Sequence, residues 1–234
     1  MKNLCISILY LLFSFSVTVI LYKKYKKIGL YCWICILVII SNIQTIKVVE
    51  LLNFTMSLGN ISYGAIFLST DIISEKFGRK STNEATNLSF VFMILFTLMM
   101  SVFLQYEPSS TDFSQSAFET IFGFIPRITV GSLIAYFCGQ KLDAFLYAFL
   151  KKKYNKVWIS NNVSTFISQI LDTFLFVSIA FLGTMNIDEI ITLIFTMLIF
   201  KWLIALLDTP FMLLIAHMDD TEMEEKSEKL FIER

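Results

Sequence analysis

Long apolar runs separated by short charged blocks dominate this chain. Seven runs have membrane-spanning length, at about 4–22, 28–46, 51–73, 88–105, 126–149, 159–183 and 189–216. A helix crossing the hydrocarbon layer needs about 20 mostly apolar residues. The pattern therefore predicts an all-α fold, a polytopic membrane helix bundle with about seven transmembrane helices. The weakest run is 51–73, which Asn53, Gly59, Asn60, Gly64, Thr70 and Asp71 interrupt. Its pattern leaves open whether it is a continuous or a broken helix. Gly59 and Gly64 would let it unwind beside a substrate, as in broken transporter helices, or would serve helix packing.

Charge sets the orientation. Lys23, Lys24, Lys26 and Lys27 follow the first run, Lys76, Arg79 and Lys80 the third, and Lys151, Lys152, Lys153 and Lys156 the fifth. The 106–125 loop holds Glu107, Asp112 and Glu119 with no Lys or Arg. Basic loops collect on the cytoplasmic side, so the alternation predicts the N-terminus outside and the C-terminus inside. Without a third crossing the later basic loops would lie outside. The basic cluster follows the first apolar run, and no small-residue cleavage site comes after it, so that run reads as a retained helix. A short surface helix is expected in 106–125, and the mixed-charge stretch 219–234 reads as a cytoplasmic tail.

Composition agrees. Of 234 residues, 56% are hydrophobic and 16% charged, against about a quarter charged in soluble domains. With 24 Phe, 8 Gly and 3 Pro, the chain lacks the alternation and turn signals of a barrel. Formal net charge is zero, so no basic surface for nucleic acid is implied. Cys32 and Cys35 form a C-x-x-C spacing inside an apolar run without a nearby His or second pair, and read as apolar fillers, not a metal site.

Polar residues inside spans are costly and mark cavities or partner helices. In the sixth run, helical spacing sets Asn162, Thr165, Gln169 and Asp172 in one stripe, with Asn161, Ser168 and Thr173 beside it. A stripe this long, ending in a carboxylate, favours a cavity lining over simple interhelical bonding. Gly131, Ala135 and Gly139 in the fifth run form a close-packing face, suited to a bundle or a homodimer. Gln140 and Asp143 share another face near the cytoplasmic end, where Asp143 is either functional or merely solvated. Arg127 sits at the outer helix start and either contacts solute or snorkels to the interface. Asp71 closes the third run. Lys201 lies deep in the seventh and needs a counter-ion, from Asp208 or from another helix. Pro210 is positioned to kink that helix. His217, the single histidine, lies at its end and reads as a bystander.

No phosphate-binding G-x-x-x-x-G-K-[ST], H-E-x-x-H or G-x-S-x-G motif is present. No enzyme is indicated and no cofactor is expected. Four segments do point to a family: I-F-L-S-T-D-I-I-S-E-K-F-G (66–78), P-R-I-T-V-G-S-L-I-A-Y-F-C-G-Q-K-L-D (126–143), S-T-F-I-S-Q-I-L-D-T-F-L-F-V-S-I-A-F (164–181) and F-K-W-L-I-A-L-L-D-T-P (200–210). In this order they resemble the queuosine-precursor transporter family, also called the vitamin uptake transporter family. The resemblance implies a six-helix core (28–218), with 1–27 as an additional N-terminal helix and basic loop. It implies a plasma-membrane protein, in bacteria the cytoplasmic membrane, that takes up deazaguanine bases such as queuine for tRNA modification. Such a base presents adjacent N–H donors and a carbonyl. A carboxylate accepts the donors side by side, and an amide or Lys donates to the carbonyl. Asp172 is the expected acceptor, Asn162, Gln169 or Lys201 the donor, and Phe67, Tyr136 or Phe176 a stacking partner. Asp71 or Asp143 would face a precursor's cationic amine.

Two other function classes stay open at this level: a substrate-binding membrane subunit that needs a separate ATPase, and a membrane-embedded enzyme. Proton or sodium coupling is not legible in the pattern. The orientation is directly testable. In a cysteine-free background, Ser109→Cys should react with an impermeant maleimide on intact cells, and Lys152→Cys only after permeabilisation. The opposite labelling would invert the topology.

Overall fold

The structure is a computed structural model, describing residues 2–51, 54–154 and 157–216; side chains at 151, 157–162, 205–206, 208–209, 212–213 and 216 are left undescribed. The elements in order are α1 (Lys2–Thr45), β1 (Val48–Leu51), β2 (Phe54–Ser57), α2 (Gly59–Phe103), α3 (Gln115–Phe122), α4 (Ile125–Tyr154), α5 (Val157–Phe181) and α6 (Ile187–Ala216). The chain folds as an all-α membrane helix bundle. Among the described residues, Lys2–Thr45, Gly59–Phe103, Gln115–Tyr154 and Val163–Phe181 are long and apolar enough to cross a membrane.

At 44 and 45 residues, α1 and α2 would each run about 65 Å if straight, twice the roughly 30 Å hydrocarbon layer. Neither is straight. Lys26 breaks α1 at φ 51° and Gly78 breaks α2 at φ 80°. The left-handed region suits Gly78, where glycine carries no Cβ penalty. Both breaks fall in basic blocks of the sequence, so each long element is two rods joined at a charged corner. The corners meet. The Lys27 ammonium is 3.5 Å from Glu84 Oε2, and the Tyr31 hydroxyl donates to the Ser81 carbonyl at 2.7 Å. The basic blocks after the first and third runs therefore lie at one end of the bundle.

The 51–73 run is not one helix. Its start belongs to an antiparallel hairpin in which Val48 pairs Ser57 and Leu51 pairs Phe54, and the helix begins at Gly59. Val48, Val49 and Thr55 are β-branched and suit a pleated strand. The hairpin is tied at both flanks: Ser57 Oγ donates to the Thr45 carbonyl at 3.0 Å, and Asn3 Nδ2 to the Glu50 carbonyl at 3.0 Å. It sits at the end opposite the Lys26 and Gly78 corners. Of the two roles open for Gly59 and Gly64, packing is the one observed. A Cβ at Gly59 would run into Thr45 and come within 2.7 Å of the Ser41 carbonyl; one at Gly64 would meet Ile204 at 2.5 Å.

Two apolar cores form. Phe15, Tyr22, Leu30, Leu37, Leu68 and Ile72 join α1 to α2, while Ile128, Ala135, Val177, Ala180 and Leu193 join α4, α5 and α6. Leu11, Phe15, Val19 and Tyr22 bring the first half of α1 into the first core, and a closed ring of hydrogen bonds anchors it. Gln44 Nε2 donates to Tyr10 Oη at 3.2 Å, Tyr10 Oη lies 2.9 Å from Ser62 Oγ, and Ser62 Oγ donates to Gln44 Oε1 at 2.6 Å. The small-residue face of α4 is used within the chain: Cβ atoms at Gly131 and Gly139 would touch Ile179 and Asp172 of α5 at 3.4 Å. Within one chain that face is covered by α5. Outward surfaces carry exposed Phe13, Leu98, Phe137 and Phe195, an apolar coat suited to lipid.

The Gly59 contact yields a stability test. Gly59→Val forces a branched side chain against Thr45 and should cost about 1–3 kcal/mol, read as a lower melting temperature in detergent. Unchanged melting would show that the α1–hairpin–α2 junction is looser than described.

Candidate functional site

A cavity of about 540 Å³ separates the two cores. Five helix segments line it, with Ile34 and Val38 coming from α1. On α2 before the corner, Tyr63, Ile66, Phe67, Thr70, Asp71 and Ser74 recur at three- and four-residue spacing, the period of one helix face. Past the corner come Arg79, Thr82, Thr86, Phe90 and Met93. α4 contributes Ser132, Tyr136, Gln140 and Asp143, and α5 contributes Thr165. Asp71, Ser74, Arg79 and Gln140 are exposed and form a polar mouth at the end that carries the basic corners.

A smaller cavity of about 140 Å³ continues inward. It shares Tyr63, Phe67, Phe90, Ser132 and Tyr136 with the larger one and adds Asn60, Ala135, Asp172, Phe176, Met197 and Lys201. The combined space has an exposed polar mouth, an aromatic middle and a charged floor. Tyr136 and Phe90 meet edge to face with centroids 4.6 Å apart, which fixes one wall.

The floor is an ion pair between α5 and α6. Lys201 Nζ donates to Asp172 Oδ2 at 2.9 Å and to Thr173 Oγ1 at 2.9 Å. Lys201 is 11% exposed and Asp172 33%, so the carboxylate faces the cavity more than the ammonium does. The counter-ion for Lys201 thus comes from another helix; the Asp208 side chain lies outside the described residues. Nearer the mouth, Asp143 Oδ1 accepts from Ser164 Oγ at 2.9 Å and Ser168 Oγ at 3.4 Å, another α4–α5 link.

The structure gathers Asp172, Lys201, Thr165, Asp71, Gln140, Asp143 and Phe67 around one connected space, along with Tyr136 and Phe176. It leaves two candidates elsewhere. Gln169 is on neither lining. Arg127 turns to the end of α5: its Nε donates to the Ile179 carbonyl at 2.6 Å, and its Nη2 donates to the Leu182 carbonyl. The last carbonyls of a helix lack intrahelical partners and attract cations, so Arg127 caps α5 and is on neither cavity lining. The Asn162 side chain lies outside the described residues. Asn60, Tyr63 and Phe90 are additions. Their signal was the three- and four-residue spacing from Asn60 to Ser74, obscured by the hairpin sharing the same run.

Comparison with known proteins bears on this site. The family described as "Putative vitamin uptake transporter" matches residues 57–215, which contain every cavity-lining residue beyond α1. The chain belongs to this family, that of the queuosine-precursor transporters. A "Probable queuosine precursor transporter" of Bacillus subtilis (strain 168) is 36% identical over 207 residues, 87% of this chain and 90% of that protein. The "Queuosine precursor transporter" of Escherichia coli (strain K12) is 29% identical over 160 residues, covering 68% and 71%. No solved structure matches the chain. As a family member with several apolar helices, it is a multi-pass membrane protein.

The ion pair supports an asymmetric stability test. Lys201→Met strands a half-buried carboxylate and should lower stability by about 1–3 kcal/mol. Adding Asp172→Leu should restore most of it, because an apolar pair often replaces an ionic one without loss. Melting curves in detergent decide; a double variant less stable than Lys201→Met would refute the pairing.

Proposed function

We propose that this chain imports queuosine precursors, deazaguanine bases used for tRNA modification, across the cytoplasmic membrane without altering them chemically. The observation that carries the reading is the Asp172–Lys201 floor beneath an aromatic-walled cavity. The relatives' names supply the substrate class. A cavity of about 540 Å³ falls within the roughly 300–1,000 Å³ usual for small-molecule sites.

In this reading a planar base that has entered from the hairpin end stacks among Tyr63, Phe67, Phe90, Tyr136 and Phe176. It leaves past Asp71, Gln140 and Asp143, whose carboxylates would face the cationic amine of an aminomethylated precursor. Asp172 accepts the two adjacent N–H groups of the guanine-like edge, a charge-assisted bidentate contact stronger than neutral hydrogen bonds. Thr173 keeps hold of Lys201 while Asp172 turns to the base, so the ammonium is never left bare. The helices cross seven times, counting each half of α1 and α2 once, with the mouth and the basic corners on the cytoplasmic side. The six-helix core is 28–218, with 1–27 added before it and 219–234 as tail. Uptake then needs a second arrangement open to the hairpin end.

Uptake of labelled queuine and its precursors into cells lacking their own route tests this. Saturable uptake should fall at least about tenfold in Asp172→Ala, with unchanged membrane insertion. Uptake unaffected by that variant would remove the floor from the transport path.

A further inference from the structure

Asn60 stands in the first turn of α2 and is 4% exposed. Its Nδ2 is buried and has no hydrogen-bond partner among the described residues. An unpaired buried amide costs about 1–3 kcal/mol, so native proteins hold few of them without a reason. This one lines the inner cavity together with Asp172 and Lys201. Lys201 is already engaged by Asp172 and Thr173, whereas the Asn60 Nδ2 has no partner among the described residues. Gly59, clamped against Ser41 and Thr45, fixes the backbone immediately before it, which limits any swing towards another partner.

We propose that Asn60 is a specificity-determining residue of the inner cavity, its Nδ2 donating to the ring carbonyl of a guanine-like base whose adjacent N–H groups bind Asp172. The inference rests on the transport reading and deepens it. In a guanine-type ring the carbonyl neighbours the ring N–H, and the exocyclic amine lies on that N–H's other side. One planar edge therefore presents acceptor, donor, donor in sequence. Asn60 and Asp172 supply the complementary donor and paired acceptors from two different helices. A site built this way rejects bases that lack the carbonyl, because the amide then stays unpaired in the occupied cavity. It also rejects adenine-like edges, whose amine would confront the amide's own N–H groups.

Purified protein in detergent tests the inference with two probes, 7-deazaguanine and its 6-thio analogue, which keeps both N–H donors but replaces the carbonyl oxygen with a weakly accepting sulfur. Binding is read by ligand-induced thermal stabilisation over a concentration series. In Asn60→Leu the affinity for 7-deazaguanine should drop about tenfold, while that for the thio base stays close to wild type. The empty variant should melt no lower than wild type, since an unpaired amide has been removed. Asn60→Asp, which places an acceptor against the carbonyl, provides a near-isosteric second variant with the same selective loss. Equal losses for both bases, or no loss for 7-deazaguanine, would overturn the assignment while leaving the transport reading intact. Wild-type protein that binds neither base would overturn both.

Discussion

A buried charge inside a membrane bundle must be answered by another, and the Lys201–Asp172 pair is that constraint here. An ammonium deep in α6 is tolerable only because α5 brings a carboxylate and a hydroxyl to 2.9 Å. Holding α5 in that place requires α4 behind it. A Cβ added at Gly131 or Gly139 would make ordinary van der Waals contact with α5, so the two helices pack side by side there, and Arg127 caps the far end of α5. The second core is thus arranged around one electrostatic need. The first core, α1 and α2 with Ile204 and Ile215 of α6, presents a polar and aromatic face across the gap.

That gap makes the molecule more than a packed bundle. Each core is closed by its own apolar contacts, and the faces they turn to one another are lined with Thr, Ser, Asp, Gln, Tyr and Phe. Such faces do not seal by hydrophobic burial, so the space between them accommodates solute and water. The corners at Lys26 and Gly78 and the short hairpin at the opposite end join rods within one core. α6 belongs to both cores, through Ile204 and Ile215 in the first and Leu193 and Met197 in the second, so it couples them in any movement about the central site.

Much of this was legible in the chain. Run length and charge alternation gave the all-α membrane bundle and put basic blocks at Lys26 and Gly78, where the long helices turn. The stripe containing Thr165 and Asp172, and the isolated Lys201, pointed to the floor. Three features were not legible, each for a physical reason. The hairpin at Val48–Ser57 was hidden because a short apolar strand and an apolar helix end look alike without a turn signal stronger than Asn53. Arg127 looked like a site residue because sequence does not reveal that it faces the orphan carbonyls of the neighbouring helix. In the sequence Asn60 reads as an interruption of a span, since the burial of its Nδ2 without a partner among the described residues exists only once α2 starts at Gly59.

The most direct measurement is uptake of a labelled deazaguanine base by proteoliposomes containing this chain alone, with mass spectrometry of the recovered solute. The account predicts saturable entry of chemically unchanged base without ATP or any added protein. Entry only with an ATPase partner, or recovery of an altered base, would contradict it.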